Sequence, residues 1–323
     1  MTLRLTIDEH AWRTHVDAVR AQVDRLVPVI KGNGYGIGRA TLVSEASTWA
    51  HTIAVGTVRE ARDVSPADGV DVLCLTPAIE LPDVLSSHVI PTVGRAEHVA
   101  ALRDVGRRGR VAVKLASSMR RYGVSPDGLD DLLRDVRGAG CEPHSFMFHP
   151  PLATGGRTDD DVLAELVSWL PHLDPAIPLS VSHLSVDGWA RFAGDHPERT
   201  VSLRLGTALW HGDKSAMHLD AEVLDVRAVN AGDRAGYRLV EVASSGTLAM
   251  VGAGSAHGVA PLPPDGRSPF HFAHRRLALV EPPHMHTSMV LAPHDGEQPA
   301  VGDRVDVQRP LITVTPDEVV WQR

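Results

Sequence analysis

The run Val27-Pro-Val-Ile-Lys-Gly-Asn-Gly-Tyr-Gly-Ile-Gly38 decides how this chain reads. Val27, Val29 and Ile30 are β-branched and apolar, the pattern of a short strand buried on both faces, as in a parallel sheet. The glycines at 32, 34, 36 and 38 are too many for a helix and suit a loop that passes close to a ligand. Lys31 is thereby set at the carboxyl end of a buried strand, where α/β sheets and barrels place their chemistry. Partial desolvation there lowers the pKa of an amine and makes it available for a Schiff base. The alternative is a loop lysine that snorkels to water. Composition weighs against it. Lys31, Lys114 and Lys214 are the only lysines in a chain otherwise served by arginine, so a lysine is retained where a deprotonatable amine is needed.

Outward from this run, eight short apolar segments recur: 27–31, 52–55, 71–75, 89–93, 111–115, 144–148, 179–183 and 201–205. Helical patterns lie between most of them. Residues 95–106 carry Val99, Leu102 and Val105 before a glycine stop. Residues 126–140 carry Leu129, Leu132, Leu133 and Val136. Residues 159–170 open with three aspartates, favourable at a helix N-terminus. Eight strands alternating with helices predict an α/β fold, a (β/α)8 TIM-type barrel over residues 1–220, with a doubly wound sheet as the runner-up. From 221 to 323 short strand-like runs with Gly/Pro turns and no good helix predict a smaller C-terminal all-β domain. A chain of 323 residues is long enough for both.

A net charge of −8 without a basic stripe argues against nucleic acid as a partner. No apolar run approaches the ~20 residues needed to span a bilayer, and the start lacks a signal-peptide pattern. Two widely spaced cysteines, Cys74 and Cys141, fit a reducing compartment, so a cytoplasmic location is expected.

A barrel should gather its special residues at the strand carboxyl ends, and the sequence does so. Lys31, Lys114, His149, His183 with Ser185, and Arg204 with Gly206 and Thr207 all fall there. VIKGNGYG resembles the cofactor-lysine segment of the alanine racemase family, the fold-type III pyridoxal phosphate (PLP) enzymes. The resemblance implies that Lys31 carries PLP as an internal aldimine and that Tyr35 contacts its phosphate. VKLASSMRRYG is similar to a second family segment and implies Arg121 on the cofactor's phenolic oxygen and the substrate carboxylate. Lys114 then matches a lysine that some members carbamylate; the usual aspartate is replaced by Ala116-Ser117-Ser118. FHPP implies that His149 braces the pyridine-facing arginine. SHLS implies Ser185 on the phosphate, with Leu184 in place of an asparagine. LRLGTALWHG implies Arg204 beside the pyridine nitrogen and backbone N–H groups of Gly206 and Thr207 on the phosphate. An arginine at that nitrogen keeps it unprotonated, because two cations in contact repel, and favours return of a proton over decarboxylation.

Ala231-Gly-Asp-Arg-Ala-Gly-Tyr237 and Val301-Gly-Asp303 resemble the family's β-domain turns, so the likeness covers nearly the whole chain. It implies a head-to-tail homodimer in which the β domain completes the neighbour's site. There the chain departs from the pattern. The family's second base is a tyrosine in Gly-Tyr-Ala-Asp-Gly; this chain reads Gly254-Ser255-Ala256-His257-Gly258. A Cys-Met-Asp element, whose methionine N–H binds the substrate carboxylate, corresponds to His284-Met285-His286. Nothing after Glu318 matches the family's terminal phosphate-contacting tyrosine. The expectation is a PLP-dependent amino-acid racemase or epimerase acting on a small amino acid or amine. Lys31 would serve one face, and His257 or His286, with Ser255 in the tyrosine's place, the other. The alternatives are another PLP reaction at the α-carbon of lyase, aldolase or dehydratase type, with His257, His284 and His286 able to recruit a metal, or a PLP-holding homologue without turnover.

Overall fold

The structure is a computed structural model that describes residues 2–152 and 156–323. A first strand, β1 (Leu3–Asp8), and helix α1 (Glu9–Arg20) lead into the parallel strands β2 (Leu26–Pro28), β3 (Thr52–Val55), β4 (Asp71–Cys74), β5 (Val89–Ile90), β6 (Thr92–Val93), β7 (Gly109–Lys114), β8 (Cys141–Met147), β9 (Leu179–Ser182) and β10 (Val201–Leu205). Between them run α2 (Arg39–Ala46), α3 (Val58–Arg62), α4 (Ala96–Asp104), α5 (Pro126–Gly138), α6 (Asp159–Trp169) and α7 (Val186–Asp195), and α8 (Thr207–Trp210) follows β10. Six strands pair in the order β2-β10-β9-β8-β7-β6 and three in the order β3-β4-β5. A bridge from Val29 to Ala54 joins the two sheets on one side. On the other side β5 and β6 are one strand interrupted at Pro91, which has no N–H to give to a ladder. The ring therefore holds the eight expected segments.

Side chains from successive strands fill its interior: Val27, Val29, Ala54, Leu73, Ile90, Ala112 and Met147 form one buried cluster. The helices form where caps and apolar stripes coincide. Pro126 opens α5, which buries Leu129, Leu132, Leu133 and Val136. Thr158 closes a capping box with Asp161, one of the three expected aspartates, at the start of α6. The crossover from β4 to β5 carries no helix.

The second compact unit comprises residues 1–14, 35–37 and 213–323. Its strands are β1, β11 (Met217–Val229), β12 (Arg234–Ala235), β13 (Val240–Glu241), β14 (Gly246–Val251), β15 (Phe270–Phe272), β16 (Arg275–Arg276), β17 (Ala278–Leu279), β18 (Ser288–Pro293), β19 (Arg304–Val307) and β20 (Glu318–Gln322). The main sheet runs β16-β15-β19-β11-β14-β18-β17. A simple cut after residue 220 therefore does not describe the grouping. β1 is hydrogen-bonded antiparallel to β11 and parallel to β20, so the start of the chain belongs to the β unit. The expected strand over 276–280 is also divided, between β16 paired with β15 and β17 paired with β18. Among the described residues no helix is long and apolar enough to cross a membrane.

Candidate active site

Lys31 follows directly on β2, and its loop has little freedom. A Cβ on Gly34, which has φ +64°, would stand 2.3 Å from the backbone nitrogen of Arg39, so the turn closes onto the first residue of α2 only with glycine there. The Trp210 indole N–H donates to the Val29 carbonyl at 2.8 Å. This ties α8 to the strand that presents Lys31. The lysine is open to solvent at the mouth of the ring. Its pKa is still lowered, by burial first, then by the charges of Arg121 and Arg204, with Glu60 acting the other way.

Lys114, the last residue of β7, is 3% exposed. Burial and the charges of Arg204, Arg121 and Lys31 push its pKa down to about 6, so near pH 7 it is mostly the neutral amine, the form that adds CO2. Past it the chain makes a tight excursion over residues 116–123. Its ends are pinned by Ala116 N–H on the Val124 carbonyl and Val124 N–H on the Lys114 carbonyl, both at 2.9 Å. Gly123, at φ +121°, lies so close to Leu115 that a Cβ would meet its carbonyl carbon at 2.3 Å. Glu165 on α6 braces the excursion by accepting the Ser118 N–H at 2.5 Å and the Ser118 hydroxyl at 2.8 Å. Arg121 projects from it, exposed, with its guanidinium 5.2 Å from the Tyr122 ring centre.

Arg204 is buried without a carboxylate partner among the described residues. It donates to the Ser180 carbonyl at 2.6 Å, the Phe148 carbonyl at 2.8 Å and the Ser182 hydroxyl at 3.2 Å. Burial brings its pKa to about 9. The Ser182 hydroxyl in turn donates to His149 Nδ1 at 2.5 Å. His149 therefore braces the arginine through Ser182 and not directly. Burial, with the charges of Lys114 and Arg204, pushes His149 to about 2, so it is a neutral imidazole. His183 is half-buried at φ +59°, donates Nδ1–H to the Pro150 carbonyl at 2.9 Å, and lies 4.3 Å from the His149 ring. No signal in the sequence marks Ser182 or Glu165 as a site residue. Only the register of β9 and the packing of α6 bring them to the site.

The remaining barrel candidates divide. Gly206 and Thr207 begin α8, where the first N–H groups of a helix turn have no intrahelical partner. Ser185 is otherwise engaged: its hydroxyl caps α7 by accepting the Gly188 N–H at 3.0 Å and donates to the Asp159 carboxylate. A carboxylate at that hydroxyl disfavours a phosphate in the place where the resemblance implies one. Tyr35 is buried at φ +58° and belongs, with Gly36 and Ile37, to the β unit.

Within the β unit two segments lie side by side. Ser255 N–H donates to the His284 carbonyl at 2.8 Å and Ala256 N–H to the Met285 carbonyl at 2.9 Å. Met285 is 66% exposed, and Ser255 and His286 are exposed beside it. His257 is not available as a base. It is buried, its Nδ1 accepts the Gly254 N–H at 3.1 Å, and its Nε2 faces Asp317 at 3.3 Å. His284 is turned to Glu281 at 2.6 Å and stacks on Tyr237 at 4.2 Å. His257 and His284 thus point to different partners while His286 is exposed, and among the described residues no group of three metal-ligating side chains assembles.

Asp317 anchors this corner. Burial raises its pKa, but hydrogen bonds from the Thr2 hydroxyl and the Leu3 N–H, with the His257 charge, outweigh that and hold it at about 2. A carboxyl depressed in the folded state contributes stability that is complete above its unfolded pKa near 4 and is lost as pH falls toward 2. Asp317→Asn is expected to cost on the order of 1 kcal/mol at pH 7, discounted for its partial exposure, and to remove that acid limb from a melting-temperature profile. An unchanged limb between pH 4 and 2 would show that other carboxylates carry it.

Lys31, Lys114, Arg121 and Arg204 face one space, and among the described residues a single carboxylate, Glu60, offsets them at Lys31. The Ser180 hydroxyl, on the strand whose carbonyl accepts from Arg204, is buried without a hydrogen-bond partner. A cationic mouth with a nucleophilic amine suits a small aldehyde carrying phosphate and a phenolic oxygen. PLP fits these residues.

The family model described as the alanine racemase N-terminal domain matches residues 7–212. Among curated proteins, the alanine racemase of Rhodospirillum rubrum is 29% identical over 287 residues, covering 80% of this chain and 74% of its own. That of Mycobacterium tuberculosis is 29% identical over 266 residues, covering 73% and 67%. Among solved structures, the chain is similar to the alanine racemase of Bartonella henselae with covalently bound pyridoxal phosphate (TM-score 0.74, 19% identity, 100% of both chains). It is similar also to the biosynthetic enzyme of Pseudomonas aeruginosa (TM-score 0.74, 20% identity, 100% of this chain and 99% of that one).

Proposed function

Because the chain belongs to the alanine racemase family, whose N-terminal domain model spans residues 7–212, we propose that it is a PLP-dependent amino-acid racemase or epimerase with an altered second base. Lys31 holds PLP and moves the proton on one face of the substrate α-carbon; His286 replaces the missing tyrosine on the other. PLP, when bound, withdraws electrons from the α-carbon and makes its proton acidic. Arg204, fixed by two carbonyls and Ser182, still has Nε–H and one Nη1–H to offer and brings a positive charge that opposes protonation of a ring nitrogen beside it. Gly206 and Thr207 offer N–H groups to the phosphate. Arg121, exposed on its pinned excursion, takes the substrate carboxylate.

The observation that carries the choice of His286 is the contrast with His257. Both ring nitrogens of His257 are committed within the β unit, whereas His286 is exposed and meets the His257 ring edge-on at 5.8 Å. The β unit that supplies it belongs, in this reading, to the partner in a head-to-tail homodimer of a cytoplasmic enzyme, and Met285 lies beside the substrate carboxylate. The test is deuterium incorporation at the α-carbon from D2O across a panel of L- and D-amino acids, repeated over a dilution series. Exchange should occur from both enantiomers of a substrate and fall as the dimer dissociates. Exchange from neither enantiomer of any amino acid would leave a PLP-holding protein without turnover. Full-rate exchange by a monomer would remove the β-unit residues from the site.

A further inference from the structure

The residue after the proposed cofactor lysine is gripped on both sides. The Gly32 N–H donates to Glu60 Oε1 at 3.1 Å, and the Gly32 carbonyl accepts from Arg39 Nη1 at 3.0 Å. The second oxygen of Glu60 accepts the Gly56 N–H at 2.7 Å, at the end of β3. Glu60 sits in the first turn of α3, where its own N–H is capped by the Thr57 hydroxyl at 3.1 Å. Arg39 opens α2, and its guanidinium also reaches Asp63 at 3.2 Å and lies 3.9 Å from Glu60. Two adjacent barrel strands and two helices are thus tied together at the peptide next to Lys31. Gly32 has φ +61° and open space where a Cβ would stand, so backbone conformation and not crowding calls for glycine there.

We propose that Glu60 is a positioning residue for Lys31: its carboxylate fixes the Gly32 peptide and, held one residue along the chain from Lys31, supplies a negative charge to the amine's surroundings. The proposal rests on Lys31 being the cofactor lysine. The other groups that act on Lys31 are Arg121 from the excursion after β7, Arg204 from β10, Lys114 from β7 and His183 after β9. All are cationic or can become so, and each disfavours a protonated amine. Glu60 acts in the opposite sense. It is itself faced by Arg39 and, from β4, by the buried Cys74. Without Glu60 the surrounding charges would leave Lys31 a weaker base, less able to take an α-proton, and its loop would lose a fixed point.

A brace with no electrostatic role would hold the loop equally well, and pH separates the two. Full-length protein is stripped of PLP with hydroxylamine, and Lys31 is acetylated with acetic anhydride as a function of pH. With three lysines in the chain, peptide masses resolve Lys31 from Lys114 and Lys214. Glu60→Gln should move the Lys31 labelling midpoint to lower pH, leave that of Lys214 in place, and slow reattachment of PLP about tenfold. Arg39→Gln should slow reattachment without lowering the midpoint. Should Glu60→Gln fail to fold, Glu60→Asp keeps the charge while its shorter side chain gives up one N–H contact: reattachment slows and the midpoint holds. A wild-type midpoint in Glu60→Gln, or a lowered one in Glu60→Asp, overturns the proposal. Wild-type protein that takes no PLP at Lys31 would instead overturn the functional reading, and a shifted midpoint would still assign Glu60 to Lys31.

Discussion

Lys31→Ala is expected to abolish both cofactor attachment and turnover. Wild-type protein should absorb in the visible, and borohydride should fix a pyridoxyl group on the peptide that contains residue 31. The variant should show neither, with activity down about a millionfold or to background. Lys114→Ala and Lys214→Ala should retain the label, which separates attachment at one amine from reaction at any lysine. The expectation has a physical basis beyond resemblance. Lys31 combines solvent access with a lowered pKa, so more of its amine is nucleophilic near neutrality than for a free lysine. Lys114 titrates lower still but is buried at 3% exposure, where a cofactor aldehyde cannot reach it without displacing β7 and its neighbours. Wild-type protein that stays colourless with added PLP would sink this reading, since every other role depends on it.

The second large effect concerns the missing tyrosine. Racemisation needs a proton donor and acceptor on each face of a planar carbanion. His286→Gln should block α-proton exchange from one enantiomer by about 10²–10⁴-fold and leave exchange from the other, because the Lys31 half of the reaction survives. His257→Gln should act differently: it breaks the contacts with Gly254 and Asp317, lowers the melting temperature, and affects both enantiomers alike. Ser255→Tyr, exposed beside His286, should raise alanine racemisation if a phenol is what that face lacks. Exchange from both enantiomers that persists at full rate in His286→Gln would defeat the assignment of the second base while leaving Lys31 untouched.

The same contrast between residues marks how far the sequence alone reaches. Barrel strands were legible because a run buried on both faces is continuously apolar, and eight such runs spaced by helical patterns admit few folds. Lys31, Lys114, Arg204 and Gly206 were legible because each sits at the end of such a run, and the end of a barrel strand is a place set by local order alone. β1 was not: LRLTID is a plausible strand anywhere, and its partners, β11 and β20, lie more than two hundred residues away. The occupation of each polar group was likewise invisible. Histidines 257, 284 and 286 are close to equivalent as letters, yet one is locked onto Asp317, one onto Glu281, and one is left open. Ser185 reads as a phosphate ligand until Asp159, from another helix, takes its hydroxyl. Ser182 and Glu60 carry no signal in sequence, because their partners, the Arg204 and His149 side chains for one and the Gly32 and Gly56 N–H groups for the other, are brought to them only by where the backbone goes. Residue type and the spacing of apolar runs, which are local, thus determined the barrel and the place of its proposed cofactor lysine; which side chains remain free to act was decided only by long-range packing that commits the others.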